Sequence, residues 1–207
     1  MTRFLIVRHG ETLWNREHRI QGQRNSGLSA AGERQALATA QRLRGEAAVR
    51  LVSSDLGRTL QTAQPIAAAA GLALETDERL RERCFGEFEG MTPDQVRAQT
   101  PEAYARWQAR EPSYAMPRGE SLLALRARAQ ACLASIASAT QGSVIIVTHG
   151  GTLDVMYRLA ADLPLDAPRT WPLLNASINT IDIEAGVWRP RRWGDVAHLG
   201  AAEDDFG

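Results

Sequence analysis

A chain of 207 residues with 44% hydrophobic and 23% charged content has the material for one large buried core. Its 24 basic and 24 acidic residues balance, so the charge indicates neither nucleic acid nor an anionic membrane as a partner. All 24 basic residues are Arg, so each cation stays charged and presents a fork suited to phosphate oxygens.

Cys84 and Cys132, the two cysteines, lie far apart and lack metal-ligand spacing, which speaks against a zinc site. They suit a reducing compartment, with a single disulfide left open. No apolar run reaches signal-peptide or membrane-spanning length. The expectation is a cytoplasmic protein without metal or cofactor, either a monomer or a homodimer.

The first predicted element is a strand over residues 4–7, an apolar run of strand formers. Arg8, His9, Gly10, Glu11 and Thr12 follow without a spacer, at the strand's C-terminal end, the edge where open α/β sheets bind ligands. Arg8 suits phosphate oxygens, His9 can be a nucleophile or base near neutral pH, and Gly10 lets backbone come close. Residues 13–25 are polar and carry Asn15, Gln21 and Gly22, a loop draped over the site. A helix begins after Ser29 as N-cap, with Leu37, Ala40 and Leu43 as its apolar stripe. Residues 49–53 read as a second strand.

Asp55 is the predicted cap of the next helix, which puts Arg58 in the first turn. A cation at the positive end of a helix works against the helix, and that conflict points to function. Pro65 should kink this helix. Residues 72–76 are a weak strand. Of the acids that follow, Glu87 and Glu89 read as surface residues. Residues 92–111 are helical in character, and together with the break through 117 they make a helical cap rather than a separate domain. After Gly119-Glu120-Ser121, a long helix carries the stripe Leu122, Leu125, Ala129, Cys132, Leu133 and Ile136. Residues 143–148 repeat the opening pattern: an apolar β-branched run that ends in His149-Gly150. If the two strands are neighbours, His9 and His149 face each other across one cleft. A helix over 150–161, a loop over 164–171 and a hairpin of 177–184 with 187–193 follow. Pro190 makes the last strand an edge strand. Residues 201–207 read as a disordered tail.

Arg8 to Thr12, the late His149-Gly150, the run from Ser54 to Ala63 around Arg58, and Leu80-Arg81-Glu82 with Gly86 and Gly90 together resemble the histidine phosphatase (phosphoglycerate mutase-like) superfamily over nearly the whole chain. The resemblance implies an α/β three-layer sandwich: a mostly parallel mixed sheet flanked by helices, with the cap, in one domain spanning 1–207. It implies His9 as nucleophile, Glu82 as general acid, and Arg8, Asn15, Gln21, Gly22, Arg58, His149 and Gly150 around the phosphate. Phosphoryl transfer is mostly positioning and electrostatic stabilisation, so two guanidiniums and a protonated His149 would serve without a metal. His9 must be neutral to attack. Glu82 must carry a proton to assist the leaving oxygen.

The activity so implied is a metal-independent phosphomonoesterase acting through phosphohistidine on a small phosphorylated metabolite. A phosphoglycerate mutase is the alternative, and a non-catalytic phospho-ligand binder ranks third. Between Glu82 and His149 there is neither Lys nor Arg-Arg to grip a substrate carboxylate as the mutases do, which favours the phosphatase. Arg83, Arg97, Arg106, Arg110 and Arg118 are candidates to contact a second acidic group on the substrate.

Overall fold

A computed structural model describes residues 1–200, and the tail at 201–207 lies outside the described residues. The strands are β1 (Thr2–Arg8), β2 (Ala48–Ser53), β3 (Leu74–Thr76), β4 (Gly142–Thr148), β5 (Ile178–Glu184) and β6 (Val187–Asp195). The helices are α1 (Leu13–Arg16), α2 (Ala30–Leu43), α3 (Gly57–Ala70), α4 (Pro93–Gln99), α5 (Pro101–Gln108), α6 (Leu122–Ala139) and α7 (Gly150–Ala160).

The described strands form one sheet in the order β3-β2-β4-β1-β5-β6. The strands β3, β2, β4 and β1 run parallel, and β5 and β6 add an antiparallel hairpin. Pro190 therefore does sit on an edge strand, the place in a sheet where a residue without an N–H is tolerated.

Alternation along β1 shows how three layers follow from sequence. Phe4 and Ile6 point into a cluster with Leu125 and Leu133 of α6 and Leu153 and Met156 of α7. Leu5 and Val7 point the other way, onto Ala40 and Leu43 of α2 and Ala63 and Ile66 of α3. Both faces of the central strands are covered, so their runs are continuously apolar. All six predicted stripe residues of α6 are buried. In α2 the stripe differs: Leu37 is 62% exposed, and Ala36 takes the sheet-facing position beside Ala40 and Leu43.

One local expectation fails for a reason the structure supplies. Asp55 does not cap α3; its carboxylate pairs with Arg81 at 2.5 Å. The cap comes from 33 residues upstream, where Asn25 Oδ1 accepts the Arg58 N–H at 3.0 Å. Helix α3 runs from Gly57 through Pro65 to Ala70.

A third apolar cluster lies apart from the sheet. Ile20, Phe88, Val96 and Met116 form it, with Phe85, Tyr104 and Trp107 packed on it. It joins α4 and α5 to the loop after β1, so this cap sits over the C-terminal edge of the parallel strands.

Candidate active site

Strands β1 and β4 are parallel neighbours with Arg8 opposite Thr148, so the next residue of each is a histidine at the same sheet edge. The His9 N–H donates to the Thr148 carbonyl at 2.9 Å, and the two imidazole centroids are 5.3 Å apart. Arg58 arrives on the first turn of the helix that follows β2. Glu82 arrives on the loop that follows β3. Each parallel strand thus delivers part of the constellation from its C-terminal end.

A ring nitrogen fixes the chemistry of His9. Its Nδ1 lies 2.8 Å from the Gly10 carbonyl oxygen, which can only accept, so Nδ1 carries the proton and Nε2 keeps its lone pair. The backbone behind it is pinned, since Ala176 N–H and Asn175 Nδ2 both donate to the His9 carbonyl. Burial, then Arg58, then Arg8 push the His9 pKa well below the usual imidazole value, as a neutral nucleophile requires.

For His149, burial first, then Arg58 and His9, hold the pKa well below the ordinary value, so the protein alone favours the neutral ring. Its Nε2 lies 2.8 Å from Ser54 Oγ. It is fully buried behind His9 and is not among the residues that line the cleft. Gly150 likewise begins α7 away from the cleft lining.

The cleft itself is lined by Arg8, His9, Asn15, Gln21, Gly22, Arg58 and Glu82, with His18, Arg19, Ile20, Phe85, Pro93, Trp107 and Gln108 toward the cap. Arg8 donates through Nη1 to the Leu173 carbonyl. Arg58 donates through Nη1 to Arg24 O at 2.8 Å and through Nη2 to Gly22 O at 2.7 Å, so it holds the cleft loop as well as charging the cleft. Burial lowers its pKa to about 10, which still leaves it a cation at neutral pH. Asn15 Oδ1 accepts from Thr12 N–H at 3.0 Å and closes a capping box at the start of α1. Gln21 is buried, and its Oε1 has no hydrogen-bond partner among the described residues.

Glu82 is 5% exposed and its carboxylate sits on the N-terminus of α7. Oε2 accepts from Gly151 N–H at 2.8 Å, and Oε1 from Arg83 N–H at 2.7 Å and Thr152 N–H at 3.1 Å. Free N–H groups at a helix start are natural carboxylate partners. As drawn, both oxygens accept, so the acid role requires a protonated oxygen to turn from one of these donors toward the substrate. Arg128 donates to the carbonyls of Arg79, Arg81 and Glu82 and pairs with Glu120, fixing the backbone that carries Glu82.

Glu89 contradicts its reading as a surface acid. It is buried, and its oxygens accept from the N–H groups of Gln23, Arg24 and Phe85 at 3.0 Å each. Gly22 has φ 54°, and a Cβ there would meet Glu89 Oε1, so this loop turn needs glycine. Glu87 is indeed exposed, near Arg118. None of the five candidate arginines around the cap lines the cleft: Arg97, Arg106, Arg110 and Arg118 face Asp94, Glu111, Asp154 and Glu87, and Arg83 donates to the carbonyls of Glu120 and Tyr114. The cation that does line the cleft toward the cap is Arg19, which sequence reading left inside a polar loop. Among the described residues, no group of three or more His, Cys, Asp or Glu is placed to hold a metal ion, and no helix is long and apolar enough to cross a membrane.

Two histidines and two arginines thus gather at one parallel-sheet edge of an α/β fold, facing a carboxylate. The profile of the histidine phosphatase superfamily (branch 1) matches residues 4–196, and the chain belongs to that family. It is 40% identical over 209 residues to a probable phosphoglycerate mutase GpmB of Yersinia pestis (strain Pestoides F), covering 96% of this chain and 95% of the relative. Among solved structures, YhfR of Bacillus stearothermophilus superposes with a TM-score of 0.90 at 34% identity, over 96% of this chain and 100% of the other. A mycobacterial glucosyl-3-phosphoglycerate phosphatase in complex with VO3 does so with 0.84 at 32% identity, over 93% and 98%.

Proposed function

We propose that this chain is a metal-independent phosphomonoesterase that hydrolyses a small phosphorylated metabolite through a phosphohistidine on His9. The observation that carries the reading is the Nδ1 contact of a buried, neutral His9 with the Gly10 carbonyl, which presents Nε2 as the lone-pair nitrogen between Arg8 and Arg58. In the first step Nε2 attacks phosphorus, the P–O ester bond breaks, and Glu82 protonates the leaving oxygen. In the second step Glu82 takes a proton from water, which attacks phosphorus. The P–N bond breaks and returns its electron pair to Nε2. Arg8 and Arg58 balance the charge on the phosphoryl oxygens in both steps. Burial and the neighbouring cations favour neutral His149, and a phosphate dianion beside it would favour the protonated ring.

The second reading is a mutase, which would return the phosphoryl group to another hydroxyl of the same substrate. Relatives named probable phosphoglycerate mutase raise it. Arg19 and His18 in the cleft would be its carboxylate grip. Apart from neutral Gln108, the rest of the outer cleft is apolar or aromatic, from Ile20, Phe85, Pro93 and Trp107, which favours hydrolysis of esters without a second acid there. The deciding experiment measures phosphate release from a panel of phosphomonoesters beside a mutase assay with and without bisphosphoglycerate. Phosphate release that survives EDTA and is inhibited by vanadate supports the hydrolase. Phosphoglycerate interconversion outpacing release overturns it.

A further inference from the structure

The cap carries an ionic tie to the helix that holds Glu82, half-buried at its arginine and buried at its aspartate. Arg110, two residues beyond the end of α5, has φ 53°, a left-handed turn that directs the chain away from the helix. Its Nη2 donates to Asp154 Oδ2 at 2.5 Å and its Nε to the Leu165 carbonyl at 3.1 Å. Asp154 lies on α7 with a side chain only 4% exposed. The same oxygen accepts from Arg158 Nε at 3.0 Å, and Arg158 in turn donates to the Pro164 carbonyl.

The positions along each helix make this contact relevant to the site. Trp107 and Gln108, three and two residues before Arg110, line the outer cleft. Gly151 and Thr152, three and two residues before Asp154, donate the N–H groups that hold Glu82. One ion pair therefore joins two short segments, one ending in the cleft wall and the other in the N–H groups that hold the acid. Of the aromatic contacts of Trp107, Tyr104 lies on α5 and Phe85 on the loop that carries Glu82, and neither reaches α7.

We propose that Arg110 and Asp154 are positioning residues for leaving-group specificity. Their pairing sets Trp107 at a fixed distance from Glu82, so that an ester with a planar apolar leaving group is held against Trp107 with its bridging oxygen at Glu82. The inference rests on the hydrolase reading above.

Arg110→Gln is the test variant, because it leaves Asp154 paired with Arg158 and the buried carboxylate compensated. The probes are naphthyl phosphate and glycerol phosphate. The ratio of their kcat/KM values should fall about tenfold in Arg110→Gln, the size typical of losing one apolar wall contact, with the change carried by KM for the naphthyl ester. Trp107→Ala should give the same shift, and the double variant should go little further. Arg110→Lys should recover part of the ratio. Arg106→Gln, within α5 but paired with surface Glu111, should leave it unchanged. An equal loss on both esters, or additive effects of Arg110→Gln and Trp107→Ala, would overturn the proposal. Hydrogen exchange of the free protein tests the tie without turnover: amides of 101–110 should exchange faster in Arg110→Gln while those of β1 stay protected. Unchanged exchange at 101–110 overturns the positioning role, whereas a wild-type protein inert toward both esters overturns the hydrolase reading instead.

Discussion

Replacing Glu82 with Gln separates proton donation from the structural duty of the same side chain. The carboxylate accepts three backbone N–H bonds, from Arg83, Gly151 and Thr152. Gln keeps one acceptor oxygen and turns an NH2 toward the other set, so at least one buried donor loses its partner, at about 1–3 kcal/mol. That cost lowers stability and acts on every substrate alike. The catalytic cost depends on the leaving group. An alkoxide such as that of glycerol leaves poorly without a proton, and losing the acid there should slow the first step by roughly 10²–10⁴-fold. A nitrophenolate leaves readily, so its rate should fall far less. The assay is rapid-quench single turnover with glycerol phosphate and p-nitrophenyl phosphate, since steady state can report phosphohistidine hydrolysis instead. A melt of the variant measures the structural part separately. Equal slowing of the two esters would refute the reasoning and leave Glu82 as a strut of α7.

His9→Ala should abolish turnover, whereas His149→Ala, which removes one electrostatic partner behind the nucleophile, should cost ~10²–10³-fold, as measured by phosphate release. Stability should fall as pH drops below about 6.5: unfolded histidines take up protons there, while buried His9 and His149, with lowered pKa values, do not. Each contributes up to ~1.4 kcal/mol per pH unit, so urea unfolding from pH 7 to 5 should show a slope that flattens in His149→Asn. Glu89→Ala should free three loop N–H groups, weaken competition by inorganic phosphate and lower the melting temperature, with Glu87→Ala unchanged in both measurements.

How much of this was legible in the sequence depended on the range of the forces involved. Strands β1 and β4 could be read because burial on both faces writes itself as an unbroken apolar run, and each ended in His-Gly. Arg58 could be read because it violates helix-end electrostatics. The cap of α3 could not: Asn25 supplies it from 33 positions away, and Asp55 had a partner in Arg81 that only the packing of β2 beside β3 creates. Glu89 was misread for the same reason, since its N–H partners at Gln23 and Arg24 are 66 and 65 positions distant. The stripe of α2 slipped by one residue because close packing favours small Ala36 over Leu37 at the sheet. Trp107 and Arg19 carry no local signal, as cap and loop residues meet the cleft only through the tertiary fold.

The central claim is that His9 accepts the phosphoryl group. Incubation with a radiolabelled phosphomonoester, an alkaline quench and peptide mapping tests it directly. The account predicts a covalent label on His9 that is stable in alkali and lost in acid, absent from His9→Ala and trapped in greater amount when the second step is slowed. An acid-stable label on Ser53, Ser54 or Cys84 would contradict it.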